Sequence, residues 1–199
     1  MPSLAYHEEV TQLARAAGIP VHIDGARLFN ACAALNVEPA VITRHADSIC
    51  FCLSKGLSAP MGAVLAGSKT FIARANTFRR MLGGGLRQSG IMAAAGLVAL
   101  QTMRERLSDD HRRTYQLWER LRQSNPALVG EAPQTNILQV FVPEGEQRTA
   151  RDWENECSAQ QLAVRAAGKR TLRLVIHRHI TDDDIETASQ IIAEIAAKC

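Results

Sequence analysis

The 199-residue sequence lacks three things: an apolar stretch long enough to cross a membrane, a block of basic residues, and a cysteine spacing typical of a metal site. Each absence removes a class of function. A membrane-spanning helix needs about 20 mostly apolar residues in a row, so no membrane partner is expected. A nucleic-acid footprint needs a basic patch or stripe. Here the formal net charge is +3 and the basic residues are scattered, so no nucleic-acid partner is expected either. Cys32, Cys50, Cys52, Cys157 and Cys199 are odd in number and read as buried, reduced thiols of a cytoplasmic protein. Gly83-Gly84-Gly85 has neither the Walker nor the dinucleotide-binding spacing. His177 and His179 lie too close in sequence to form a convincing ligand pair, and His111, within Asp109 to Arg113, reads as lying on a solvated helix face. No metal is expected.

What is present is an alternation. Leu4 to Ala17 has a helical pattern closed by Gly18, so the chain reads as starting inside a βα alternation. Residues 21–24, 47–53 and 61–66 read as short buried strands, and residues 26–35 and 68–82 as helices. Strands alternating with helices predict an α/β layer with a mainly parallel sheet. From Ser89 to about Gln123 a helical pattern runs well beyond an average helix, as one bent helix or two in series. Its first part, IMAAAGLVAL, is almost wholly apolar and is expected to be buried. Residues 136–142, 162–165 and 172–177 then read as strands, and residues 150–162 as a helix. A last helix starts at Thr181, an N-cap followed by three aspartates where the helix dipole favours negative charge. The expected organisation is an α/β domain over residues 1–124, which the resemblance described below implies is the C-terminal part of a larger one, and a small α+β domain over residues 125–199.

Two residues stand where ligands bind in open α/β sheets, at the carboxyl ends of strands. Asp24 ends the first strand and Lys55 follows the second. Alone, Asp24-Gly25 is equally a plain turn and Lys55 equally a solvated loop residue. Together they fit one chemistry. A lysine desolvated by apolar neighbours is a nucleophilic amine, and a carboxylate beside it can hold a pyridine nitrogen protonated. Arg27, expected one helical turn past Asp24, carries a guanidinium suited to a carboxylate.

Four segments in order carry a resemblance. His22 to Ala31 (HIDGARLFNA) resembles the signature of the threonine aldolases, in the β-eliminating lyase branch of the fold-type I pyridoxal-phosphate enzymes. Cys52 to Gly62 (CLSKGLSAPMG) is similar to their lysine motif, Leu82 to Gly90 (LGGGLRQSG) to the segment after it, and Leu172 to His177 (LRLVIH) to their C-terminal strand. The resemblance implies a PLP-dependent transferase fold and pyridoxal 5'-phosphate as cofactor. Lys55 would be the Schiff-base lysine and Asp24 the partner of the pyridine nitrogen. Arg87 would lie near the cofactor, with a helix-flanking role as its alternative, and Arg27 and Arg173 would bind the substrate carboxylate. It further implies cleavage of threonine, allo-threonine and related β-hydroxy-α-amino acids to glycine and an aldehyde. The partners would be a small amino-acid substrate and further copies of the chain, in a dimer or tetramer. A different lyase or transaminase on the same scaffold, or an inactive remnant that serves as an association module, are the alternatives.

The resemblance covers the later part of such enzymes. Their N-terminal part, with the loop that holds the cofactor phosphate and the ring stacked on the pyridine, has no counterpart in these residues. An exposed sheet edge and self-association are therefore expected. So is weak catalysis: glycine release from threonine by this chain, saturated with pyridoxal phosphate, should stay well below about 1 per second. A higher measured rate would contradict that expectation.

Overall fold

The computed structural model describes residues 2–198; Met1 and Cys199 lie outside the described residues, and with them the sequence reading of Cys199 as a buried thiol. The chain divides into two compact units, one up to Leu107 and one from Ser108 onward. The sequence places this break at residues 124 and 125. The difference is the amphipathic helix that follows Leu107, whose apolar face belongs to the core of the second unit.

The first unit opens with helix α1 (Leu4–Ala16), capped by Ser3, whose hydroxyl accepts from the Tyr6 backbone N–H at 3.2 Å. Strand β1 (His22–Asp24), helix α2 (Leu28–Leu35) and the short helix α3 (Pro39–Thr43) follow. Next come strands β2 (Ser48–Cys52) and β3 (Ala63–Gly67), then helices α4 (Lys69–Met81) and α5 (Gly90–Thr102). The sheet order is β1-β2-β3. β1 and β2 are parallel, with Asp24 opposite Cys50. β3 is antiparallel to β2, because the connection from Leu53 to Gly62 contains no crossover helix and doubles back on itself. Where the sequence predicts a mainly parallel sheet, this one has one parallel and one antiparallel ladder.

Two small cores stabilise this unit. Leu28, Cys32, Ile42 and Ile49 pack α2 and α3 onto the sheet. Leu57, Ala59, Ala99 and Leu107 pack the loop after β2 against α5. Helix α5 departs from expectation. Its apolar sequence predicts burial, yet Ile91 is 78% exposed and Leu97 59%. Apolar residues surround the helix, and only the side carrying Gly96 and Ala99 is covered.

The second unit contains α6 (Leu107–Ser124) from its second residue on, a 3-10 turn at Pro126–Leu128, β4 (Ile137–Phe141), α7 (Ala150–Ala159), β5 (Arg165–Ala166), β6 (Thr171–Val175) and α8 (Asp182–Ala196). Its antiparallel sheet has the order β4-β6-β5. Leu138, Val140, Leu172 and Leu174 line one face of that sheet and meet α6, α7 and α8 around the fully buried Trp153. Capping boxes start α7 at Thr149 and α8 at Thr181, each closed by an aspartate three residues on. His111, expected on a solvated face, is half-buried, and burial pushes its imidazole below the ordinary value, against the opposing pull of Asp110.

Trp118 and Trp153 are the only tryptophans, so their fluorescence reports on the second unit. Thr181→Ala removes the α8 cap and is expected to lower its unfolding free energy by about 1 kcal/mol. Trp153→Ala empties the centre of the core and should cost about 3–5 kcal/mol. Urea titrations of each variant measure both losses; Trp118 remains as the probe in the second.

Candidate active site

The carboxyl ends of β1 and β2 lie side by side because the strands are parallel and in register. Past Asp24 the chain stays on β2: the Gly25 N–H donates to the Cys50 carbonyl at 2.8 Å, and the Cys52 N–H to the Ala26 carbonyl at 3.4 Å. A side chain at Gly25 would meet the Cys50 carbonyl oxygen and Ile49 Cδ1 at 3.0 Å, so glycine permits this approach. The Asp24 carboxylate is exposed. Its Oδ1 accepts from the Ala26 N–H at 3.3 Å and from the Cys50 thiol at 3.7 Å. Oδ2 makes no hydrogen bond among the described residues.

Arg27 is half-buried at the N-cap of α2, just outside the helix. The sequence expected it a turn inside. A tight turn, with the Leu28 N–H donating to the Gly25 carbonyl at 2.7 Å, delays the start of α2 and keeps Arg27 near Asp24 in the chain.

Lys55 lies in the loop that leaves β2. The Leu53 N–H donates to Gly62 at 2.9 Å, the Ala59 N–H to Leu53 at 3.0 Å and the Ser58 N–H to Lys55 at 2.9 Å, all to carbonyl oxygens. Ser58 takes up a left-handed conformation, φ 59°, to close this turn. Gly56, Leu57 and Ala59 form a buried underside, while Ser54 and Lys55 face solvent. Sequence reasoning expected a desolvated lysine; the apolar neighbours instead anchor the loop from below and leave the amine exposed. A side chain at Gly56 would come within 2.8 Å of Asn30 Oδ1 and 2.9 Å of Leu107 Cδ2. Asn30, 2% exposed, thus braces the lysine loop from α2. Sequence reasoning missed it; a lone amide within the apolar helix LFNACAAL was the available signal. It also missed Cys50, which the alternation of Ser48 to Cys52 puts on one strand face with Cys52.

The other two residues singled out in the sequence belong to other segments of the chain. Arg87 is exposed in the segment joining α4 to α5. Arg173 belongs to the second unit, in the middle of β6, half-buried between Gln139 on β4 and Arg165 on β5. Its neighbours Leu172 and Leu174 are buried, so Arg173 occupies the face of the sheet opposite the core, as the alternation predicts. Among the described residues, no group of three or more His, Cys, Asp or Glu side chains is placed to hold a metal, and no helix is long and apolar enough to cross a membrane.

Comparison with known proteins places this geometry in a family. Residues 1–144 match the beta-eliminating lyase family model. The chain is 40% identical over 184 residues to low-specificity L-threonine aldolase 1 of Arabidopsis thaliana, covering 92% of this chain and 51% of that protein. It is 38% identical over 192 residues to the low specificity L-threonine aldolase of Escherichia coli (strain K12), covering 96% and 54%. The chain therefore spans about half the length of the curated relatives it matches. A crystal structure from Listeria monocytogenes EGD-E, described as an L-allo-threonine aldolase, superposes with a TM-score of 0.79 at 17% identity, over 100% of this chain and 57% of that one, which carries the fold alone. On the family match and the architecture together, the chain belongs to the beta-eliminating lyase family of pyridoxal-phosphate-dependent enzymes.

Proposed function

We propose that this chain supplies the lysine, the acidic partner and the carboxylate-binding arginines of an enzyme that cleaves threonine, allo-threonine and related β-hydroxy-α-amino acids to glycine and an aldehyde. The observation that carries the reading is the side-by-side placement of the ends of β1 and β2, with Asp24 closing one strand and Lys55 in the loop beyond the other. Their state fits the ring end of pyridoxal phosphate: an exposed carboxylate with one uncommitted oxygen and an exposed amine on an anchored loop. When bound, the cofactor supplies an electron sink for the pair released as the substrate Cα–Cβ bond breaks.

The chain's own residues take the following parts. Lys55 would hold the cofactor covalently through its side-chain amine. The Asp24 carboxylate holds a proton on the ring nitrogen. Arg27 and Arg173 take the substrate carboxylate and so orient the bond to be broken. Arg87 stands near the cofactor. The working form is a cytoplasmic homo-oligomer, dimer or tetramer, in keeping with the free thiols of Cys32, Cys50, Cys52 and Cys157. A second reading, an association module without turnover, draws on the exposed apolar surface of α5.

Borohydride reduction of the chain with pyridoxal phosphate, followed by peptide mapping, should label Lys55. A label confined to Lys69, Lys169 or Lys198 would refute the assignment. Asp24→Asn should keep Lys55 labelling but, in a form that turns over threonine, lower glycine release by a factor of about 100 or more, since a neutral amide cannot hold the ring proton. Glycine release near the parent rate, with cofactor bound, would remove Asp24 from its role.

A further inference from the structure

We propose that Cys50 is a positioning residue for Asp24, its thiol holding one carboxylate oxygen so that the other is left for the N–H of a bound ring. The pairing is a product of register. Asp24 and Cys50 are direct partners across the parallel ladder, so their side chains leave the same face. The Cys50 thiol lies 3.7 Å from Asp24 Oδ1, the oxygen that also accepts the Ala26 N–H at 3.3 Å. Both donors fall on Oδ1. An exposed carboxylate at a strand end otherwise turns freely about its side-chain torsions. Two donors on one oxygen, one from the turn after β1 and one from β2, restrict that rotation and leave Oδ2 for a ligand.

The thiol registers the same contact. Burial pushes the Cys50 thiol above its ordinary value; the charge of Asp24 and its hydrogen bond push it further, while a backbone hydrogen bond at Gly25 acts the other way. Cys52, two positions along β2, adds a smaller upward push, and the residue opposite on β3 is the apolar Leu65. Asp24 is thus the charged group that faces the thiol. Cys157 is the contrasting case: fully buried in the second core, its thiol is pushed up to about 11, mainly by burial. Cys50 is half-buried and stands beside a carboxylate at a strand end. The role rests on Asp24 being the acidic partner proposed above; the contact does not.

The test has two arms. In the first, Cys50 alkylation by iodoacetamide is followed against pH in the chain without cofactor and quantified by peptide mass spectrometry. Only the thiolate reacts, so replacing Asp24 by Asn should move the Cys50 profile to lower pH and speed alkylation near neutrality about threefold or more. Cys157 should stay slow in both chains. A Cys50 profile unmoved by Asp24→Asn overturns the proposal. In the second arm, pyridoxal-phosphate affinity is measured by absorbance for two variants. Cys50→Ser keeps a donor. Cys50→Val keeps bulk and strand preference but has none. The serine variant should bind like the parent and the valine variant about threefold or more weakly. Equal binding by parent and valine variant also overturns the positioning role. A shifted alkylation profile with no cofactor uptake at Lys55 in the parent would refute the function proposed above while upholding the contact.

Discussion

The candidate site depends on one interaction, the parallel pairing of β1 with β2. Hydrogen bonding in register sets Asp24 opposite Cys50 and continues past the strands through Gly25 and Ala26. Parallel strands end at the same side of a sheet, so the strand end that carries Asp24 and the loop that carries Lys55 lie on the same side of it. An antiparallel pairing of the same two segments would put the end of one beside the start of the other, and no side-chain packing would restore the juxtaposition. The short side chains at the crossing serve this pairing. Gly25 lets the backbone approach the Cys50 carbonyl, and the small Ala26 follows it.

The loop after β2 is held from one side only. Its apolar residues, Leu57 and Ala59, turn inward onto Ala99 and Leu107, and Gly56 presses on Asn30. The polar residues, Ser54 and Lys55, are left outward. The loop is thereby stiff beneath and open above. A rigid scaffold presenting an exposed reactive group is the usual way a loop acquires function. The left-handed Ser58 costs some backbone strain, which the buried underside offsets.

The two units differ in how fully they bury their apolar residues. The second closes a core around Trp153 with all three of its helices contributing. The first leaves Ile91, Leu97 and Val98 of α5 in solvent, together with Phe78 and Met81 of α4. Burying a side chain of this size is worth about 1.5–3 kcal/mol. The exposed α5 explains why sequence composition, which registers only how apolar a segment is, misjudges its burial.

Much of the local structure was legible in the residues. The caps at Thr181 and Thr149, the alternation of β6 that sets Arg173 apart from Leu172 and Leu174, and the strand ends that carry Asp24 and Lys55 follow from short-range chemistry: hydrogen bonds within a helical turn and the two-residue period of a strand. The motifs around Asp24 and Lys55 were legible for the same reason, since each is contiguous. Tertiary structure alone decided which strand faces which and in what register. That choice reversed β3, brought the Cys50 thiol to Asp24, and put Asn30 beneath Gly56. It also assigned α6 to the second unit, exposed Lys55 and left α5 partly bare. These features depend on pairs of residues far apart in the chain, and one sequence records each residue's preference for burial or turn but not the partner that satisfies it.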